Sequence, residues 1–193
     1  MHESLIAYIK NHSTTPLTET EIEVIKEVFV PKKLKKRQYF LQEGEVCNRH
    51  AFIVKGAMRQ YTVDDQGVEH IIRLRIENSW AADRESWANQ SPTIYNIDAW
   101  EDCDLLVLTK TDFLNRLIAI PAFNEMAQKA TEDIVLFLQN RLSMLALSAE
   151  ERYAELIKTS PEFLQRFPQH IIASYLGITK ETLSRIRSNA ARK

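Results

Sequence analysis

Apolar residues along this chain change their period twice. Near the start, Ile22, Ile25 and Phe29 recur at helical spacing. Thr18 and Glu21 stand ahead of them as a capping box, in which each side chain satisfies a free backbone donor. Ser4 to Asn11 reads as a shorter helix, and Pro31 ends the second one. From Gln38 to about Thr109 the pattern turns to short β-type runs. YFLQEGE leads to a turn at Gly44, AFIVKGAMRQYTV is interrupted at Gly56, and Asp64 to Gly67 is a hairpin turn before VEHIIRLRI, TIYNIDAWED and CDLLVLT. Many short strands at near-regular spacing predict an antiparallel barrel or jelly roll, which buries its own sheet edges.

After Thr111 the helical period returns. Pro121 suits a first helical position. Phe123, Ala127, Ala130, Ile134 and Phe137 follow at alternating steps of four and three, and Leu138, Leu142 and Leu145 carry the stripe on, slightly rotated. Such a period is the seam of a coiled coil, or the face of one long helix lying on its own barrel. Both at once are expected, in a homodimer whose contacts are Phe123, Ala127, Ala130, Ile134, Phe137, Leu138 and Leu142. A second capping box, Ser148 with Glu151, marks a break that reads as a hinge, then a new helix from Ala149 to Lys158.

The segment Gln169 to Ser188, QHIIASYLGITKETLSRIRS, predicts two short helices crossing at a tight turn. Ile172, Ala173, Leu176, Ile178, Leu183 and Ile186 form the inner side, with Gly177 at the turn and Thr179 as N-cap of the second helix. Lys180, Glu181, Thr182, Ser184, Arg185 and Arg187 are left for the outside, where a helix of this kind fits the major groove of B-DNA. Local charge supports that reading over an ordinary solvated face. From Arg166 onward the basic residues are Arg166, Lys180, Arg185, Arg187, Arg192 and Lys193, against Glu181 alone, in a chain of formal net charge −1.

Bulk composition narrows the class. At 45% hydrophobic and 26% charged residues the chain is of globular type. No apolar run approaches membrane-spanning length, and the N-terminus lacks a cleavable apolar stretch, so a cytoplasmic protein without membrane partners is expected. Cys47 and Cys103 are too few for a disulfide framework, and the zinc-like spacing of Cys47 and His50 has no second pair. No metal and no cofactor is therefore expected. No nucleophile–base constellation or phosphate loop is present, so the chain is not read as an enzyme. Lys32, Lys33, Lys35, Lys36 and Arg37 suit an exposed strand whose lysines protect a sheet edge.

Barrel, long helix and helix-turn-helix in this order resemble the Crp/Fnr superfamily of bacterial regulators. The likeness is strongest in ITKETLSRIR, Ile178 to Arg187, which is similar to the family's recognition helix, and extends to FLQEGE and IVKGAMR in the barrel. The fold it implies is α+β: a jelly-roll, cyclic-nucleotide-binding-like domain (double-stranded β-helix) over 1–118, a dimerisation helix over 119–147, and a winged-helix-like helix-turn-helix domain over 148–193. Because the chain ends soon after Arg187, a winged hairpin is expected before the recognition helix or in reduced form. The resemblance makes Lys180, Glu181 and Arg185 the readers of base edges. Arg185 would take guanine, Glu181 cytosine, and Lys180 guanine or a phosphate. Thr179, Thr182, Ser188 and Arg187 would bind the backbone, with Gln169 and His170 at phosphate. The partners implied are double-stranded DNA, a second copy of the chain, and RNA polymerase as a further candidate.

In the sensor stretch this chain departs from the pattern. Nucleotide-binding members carry a Gly-Glu segment and, some ten residues on, an Arg for the cyclic phosphate. Here ENSWAADRESWANQSPTIYNIDAW has no glycine, offers Asp83 or Glu85 as the acid, and puts about Thr93 where the Arg would be. Cyclic AMP is not expected. The candidate effector pocket is Arg73, Trp80, Asp83, Arg84, Thr93 and Tyr95, and two readings stand: aromatics that fill the barrel, or an unknown apolar or anionic effector held between them. The competing function is a ligand-binding or protein-interaction module without sequence-specific DNA binding.

Overall fold

A computed structural model describes residues 1–190 of the chain. It forms two compact units, one of Met1–Gln60 with Arg75–Ile134, the other of Tyr61–Leu74 with the chain from Val135 onward. The elements run α1 (His2–Asn11), α2 (Glu19–Val28), β1 (Val30–Leu34), β2 (Tyr39–Leu41), β3 (Arg49–Lys55), β4 (Met58–Val63), β5 (Glu69–Arg75), β6 (Trp80–Ala81), α3 (Arg84–Asn89), β7 (Asn96–Ala99) and β8 (Cys103–Thr109). A short turn α4 (Lys110–Asp112) and a wider one (Phe113–Leu117) lead to α5 (Pro121–Met144), then α6 (Ala149–Thr159), α7 (Pro161–Arg166), α8 (Gln169–Leu176) and α9 (Lys180–Ala190). Both expected capping boxes form, Thr18 with Glu21 and Ser148 with Glu151.

The strands make two four-stranded antiparallel sheets, β1-β8-β3-β6 and β2-β7-β4-β5. They enclose an apolar core of Leu34, Phe40, Ile53, Met58, Ile97, Leu105 and Val107 among others, so the antiparallel jelly-roll expectation holds. Strand alternation divides β3 between two cores. Ala51 and Ile53 point into the barrel, while Phe52 meets Leu5, Ile9, Ile25, Phe29, Leu106 and Phe123 in a second core beneath the helices. Strand β1 is a sheet edge, with Lys33 exposed upon it and bridged to Asp104 at 3.6 Å. Gly56 turns β3 into β4 at φ +102, and a Cβ there would lie 2.6 Å from the Asp102 carbonyl oxygen. Only glycine fits so close a backbone approach.

Helix α5 corrects the expected dimer seam. Phe123 is buried against Phe29 and Phe113, and Ala130 packs on the same core. Ala127 and Ile134 are half-buried, and Phe137 lies under the Arg73 guanidinium at 4.1 Å. That track is the helix's inner face. The unpartnered track is the next one round: Val135, Leu138, Leu142 and Leu145 are 50%, 54%, 68% and 70% exposed, at steps of three, four and three. Leu138 and Leu142, both expected seam residues, lie on this exposed track with Val135 and Leu145. A single hydrophobic stripe two tracks wide cannot reveal which track its own core takes.

Between 148 and 190 the described residues contain only helices, so no winged hairpin lies there. Leu145, Ala146 and Leu147 donate backbone hydrogen bonds to Leu142, Ser143 and Met144, closing tight turns at the end of α5.

Candidate nucleic-acid interface and the barrel interior

Helices α6, α7, α8 and α9 share one small core. Tyr153, Leu156, Phe167, Ile171, Ile172, Ala173, Tyr175, Leu176, Leu183 and Ile186 are all buried. Phe163 stands edge-on to Phe167 and Tyr175. Gly177 closes α8 in the left-handed region at φ 68, and the amides of Gly177 and Ile178 bond back to the carbonyls of Ser174 and Ala173, each at 3.0 Å. Thr179 then caps α9, its hydroxyl accepting from the Thr182 amide at 3.2 Å. The expected cap residue thus does the expected work.

With Leu183 and Ile186 turned inward, the rest of α9 faces out. Thr179, Lys180, Glu181, Ser184, Arg185, Arg187 and Ser188 are exposed and Thr182 is half-buried. At the start of α8, Gln169 is half-buried and His170 exposed. Neither Lys180 nor Arg185 packs into the molecule. Arg192 and Lys193, counted in the basic end, lie outside the described residues. The face is therefore polar, mostly cationic and free of large apolar side chains, as contact with phosphates and base edges requires.

The hairpin end Tyr61–Leu74 belongs to this same unit. The Ser174 hydroxyl on α8 accepts from the Ile71 amide at 3.0 Å and donates to the Glu69 carbonyl at 3.1 Å, tying β5 to α8. Asp64 shapes the tip, accepting from the amides of Gln66 and Val68 and pairing with His70 at 2.7 Å.

The other unit buries several polar side chains, each with partners of its own. Arg59 and Asp98 form a buried two-pronged pair, Nε to Oδ1 and Nη2 to Oδ2, both at 2.9 Å. Arg75 donates to the Trp80 carbonyl at 2.6 Å and to Gln60 at 3.0 Å. Asp83, buried at the start of α3, accepts from the Glu85 amide at 3.1 Å and from the Thr93 hydroxyl at 2.6 Å. The Tyr95 amide completes the group on Thr93 Oγ1 at 3.1 Å. Burial and the nearby Asp83 and Glu85 carboxylates push the Tyr95 phenol above its ordinary pKa.

Of the six expected pocket residues, then, Asp83, Thr93 and Tyr95 come together and the others do not. Trp80 packs in the helix-covered layer against Phe52, the rings tilted and 5.2 Å apart between centroids. Arg84 is exposed and donates to Thr131 on α5 at 2.8 Å. Arg73 belongs to the hairpin unit, over Phe137. Of the other tryptophans, Trp87 lies 4.0 Å from the His50 ring and Trp100 lies beside Lys36 and Arg59. Neighbours in sequence on a strand or at a strand end point to opposite faces, which proximity along the chain cannot reveal. His50 has no hydrogen-bond partner for its sealed Nε2, and burial, with Arg84 and Arg75 nearby, lowers its pKa to about 3. Among the described residues no group of three or more His, Cys, Asp or Glu could hold a metal ion, and no helix is long and apolar enough to cross a membrane.

Residues 31–119 match the family described as cyclic nucleotide-binding domain. No curated protein matches the chain significantly in sequence. Among solved structures the chain is similar to FixK2 from Bradyrhizobium japonicum, with a TM-score of 0.73 at 18% identity over 86% of this chain and 85% of that one. It is also similar to a CooA mutant from Carboxydothermus hydrogenoformans, with a TM-score of 0.71 at 18% identity over 97% and 84%. For the catabolite activator protein of Thermus thermophilus the TM-score is 0.57 at 17% identity, over 91% and 84%. At such identities the likeness is one of fold: a cyclic-nucleotide-binding-type jelly roll followed by a long helix.

Proposed function

We propose that the chain is a homodimeric, DNA-binding transcription regulator of the Crp/Fnr type. The observation that carries this reading is α9, whose apolar side is buried while Lys180, Arg185 and Arg187 stand free on its outer side. Arg185 donates two hydrogen bonds to guanine N7 and O6, Glu181 accepts from cytosine, and Lys180 meets guanine or phosphate. Thr179, Thr182, Arg187 and Ser188 bind the backbone and set register, with Gln169 and His170 at phosphate. Two chains join along Val135, Leu138 and Leu142 of α5 and Leu145 just beyond it, an exposed track with coiled-coil steps. The pair then offers two recognition helices to a pseudo-palindromic site, with half-sites about one DNA turn apart. Control of RNA polymerase follows from occupancy of that site.

The barrel takes no cyclic nucleotide in this reading. A cyclic phosphate needs a cation and free amides. Thr93 stands where the resemblance puts that cation, and its hydroxyl is held by the Asp83 carboxylate, which repels an anion.

Selection of bound duplexes from random sequence tests the proposal. A two-fold symmetric site should emerge, its affinity falling steeply as salt rises because each displaced counterion counts. Cyclic AMP should neither bind in titration calorimetry nor alter that affinity. Recovery of unenriched sequence, together with a single-chain mass in sedimentation, would overturn the reading in favour of a module that does not read DNA.

A further inference from the structure

The last four carbonyls of a helix have no partner within it. At the C-terminus of α8 all four can be accounted for. Those of Ala173 and Ser174 accept from the turn that follows, through the Ile178 and Gly177 amides. The other two are reached from outside. Arg141, on α5, donates to the Tyr175 carbonyl at 2.8 Å and lies 4.6 Å from the centre of the Tyr175 ring. Arg152, on α6, donates through Nη1 to the Leu176 carbonyl at 3.1 Å and through Nε to the Leu147 carbonyl at 3.1 Å. A Cβ on Gly177 would stand 3.5 Å from that same Nη1, so the guanidinium lies directly under the turn that launches α9. Two cations also suit the negative end of the helix dipole.

The placement of these arginines matters more than their number. Arg141 adjoins Leu142 on the exposed track of α5, and Arg152 spans from the link at Leu147 to the end of α8. The stretch between α5 and α6 is closed by its own hydrogen bonds. Helix α9 starts just beyond α8 and packs on the common core through Leu183 and Ile186. Fixing the end of α8 to α5 and α6 therefore fixes where α9 begins relative to the apolar track.

We propose that Arg141 and Arg152 are positioning residues that hold the recognition helix at a set distance from the dimer seam, and so decide which half-site spacing the dimer reads. The proposal rests on the DNA-binding reading above. Neither arginine need touch DNA. Their removal should leave one half-site's recognition intact while relaxing the discrimination between spacings.

The experiment uses the full chain and duplexes carrying two copies of the selected half-site, with their separation stepped by single base pairs. The wild-type dimer should lose about tenfold in affinity for each step from the best spacing, because misplaced helices must distort the duplex. Arg141→Gln and Arg152→Gln should flatten that profile to about threefold or less, with single-half-site affinity and salt dependence unchanged. Arg141→Lys, which keeps a donor and a cation, should restore part of the discrimination. If Arg152→Gln does not melt cooperatively, the two Arg141 variants decide. Variants that keep the wild-type profile overturn this inference. A wild-type chain that prefers no duplex overturns the DNA-binding reading itself.

Discussion

The buried charges of the barrel unit and the exposed charges of α9 are treated in opposite ways. Buried in the barrel unit, Arg59 meets Asp98 with two hydrogen bonds, Asp83 is held by Thr93 and the Glu85 amide, and Arg75 is bonded to Gln60 and a carbonyl. On α9, Lys180, Arg185 and Arg187 are spread in solvent. A buried charge must be paired to be tolerated, whereas an exposed charge costs little and remains available. The same residue types thus hold the fold together in one region and are free for a partner in the other. Substitutions inside should move stability and leave DNA binding; substitutions outside should do the reverse.

The sharpest way to break that contrast is Asp98→Ala. It removes the two-pronged acceptor from the buried Arg59 guanidinium and should cost about 3–5 kcal/mol in denaturant unfolding. A loss below roughly 1 kcal/mol would mean that the pair is wetter than its burial says.

Acid offers the next test. The fold keeps His50 neutral, with a pKa lowered from 6.5 to about 3, so the unfolded chain takes up the proton first. Its contribution is complete above pH 6.5 and is lost as pH falls towards 3. The loss should reach roughly 2–4 kcal/mol, and His50→Gln should remove that part of the pH dependence of the melting temperature.

On the outer surfaces the readout changes from melting to binding. Leu142→Glu puts a charge in the exposed track of α5 and should turn dimer into monomer in sedimentation, with about a hundredfold loss on the two-half-site duplex. The melting of the barrel unit should not follow. Smallest of these effects, Arg185→Ala should cost about 1–3 kcal/mol on the selected site and relax the choice at one base pair. A uniform loss across all sequences would instead make Arg185 a phosphate contact.

Much of this was open to reading from residue order alone, because it rests on local rules. The capping boxes of Thr18 and Ser148, the turn at Gly177, the cap at Thr179 and the outward residues of α9 all follow from spacing within a few positions. So does the succession of strands, the long helix and a helical end. Spacing also misled where two answers share one period. Phe123 and Leu142 belong to one broad stripe, but only the packing of α1, α2 and the sheet against α5 assigns Phe123 to the core and Leu142 to the surface.

The amino-acid order by itself determined which segments are helix or strand and which side of each is apolar, since those choices depend on neighbours along the chain. Tertiary structure alone decided that Asp83 would meet Thr93, that Trp80 and Arg73 would leave the expected pocket, and that the hairpin end would join α8 through Ser174. It alone carried Arg141 and Arg152 to carbonyls far along the chain. A backbone carbonyl is the same at every residue, so no side-chain pattern marks which one a distant arginine will find.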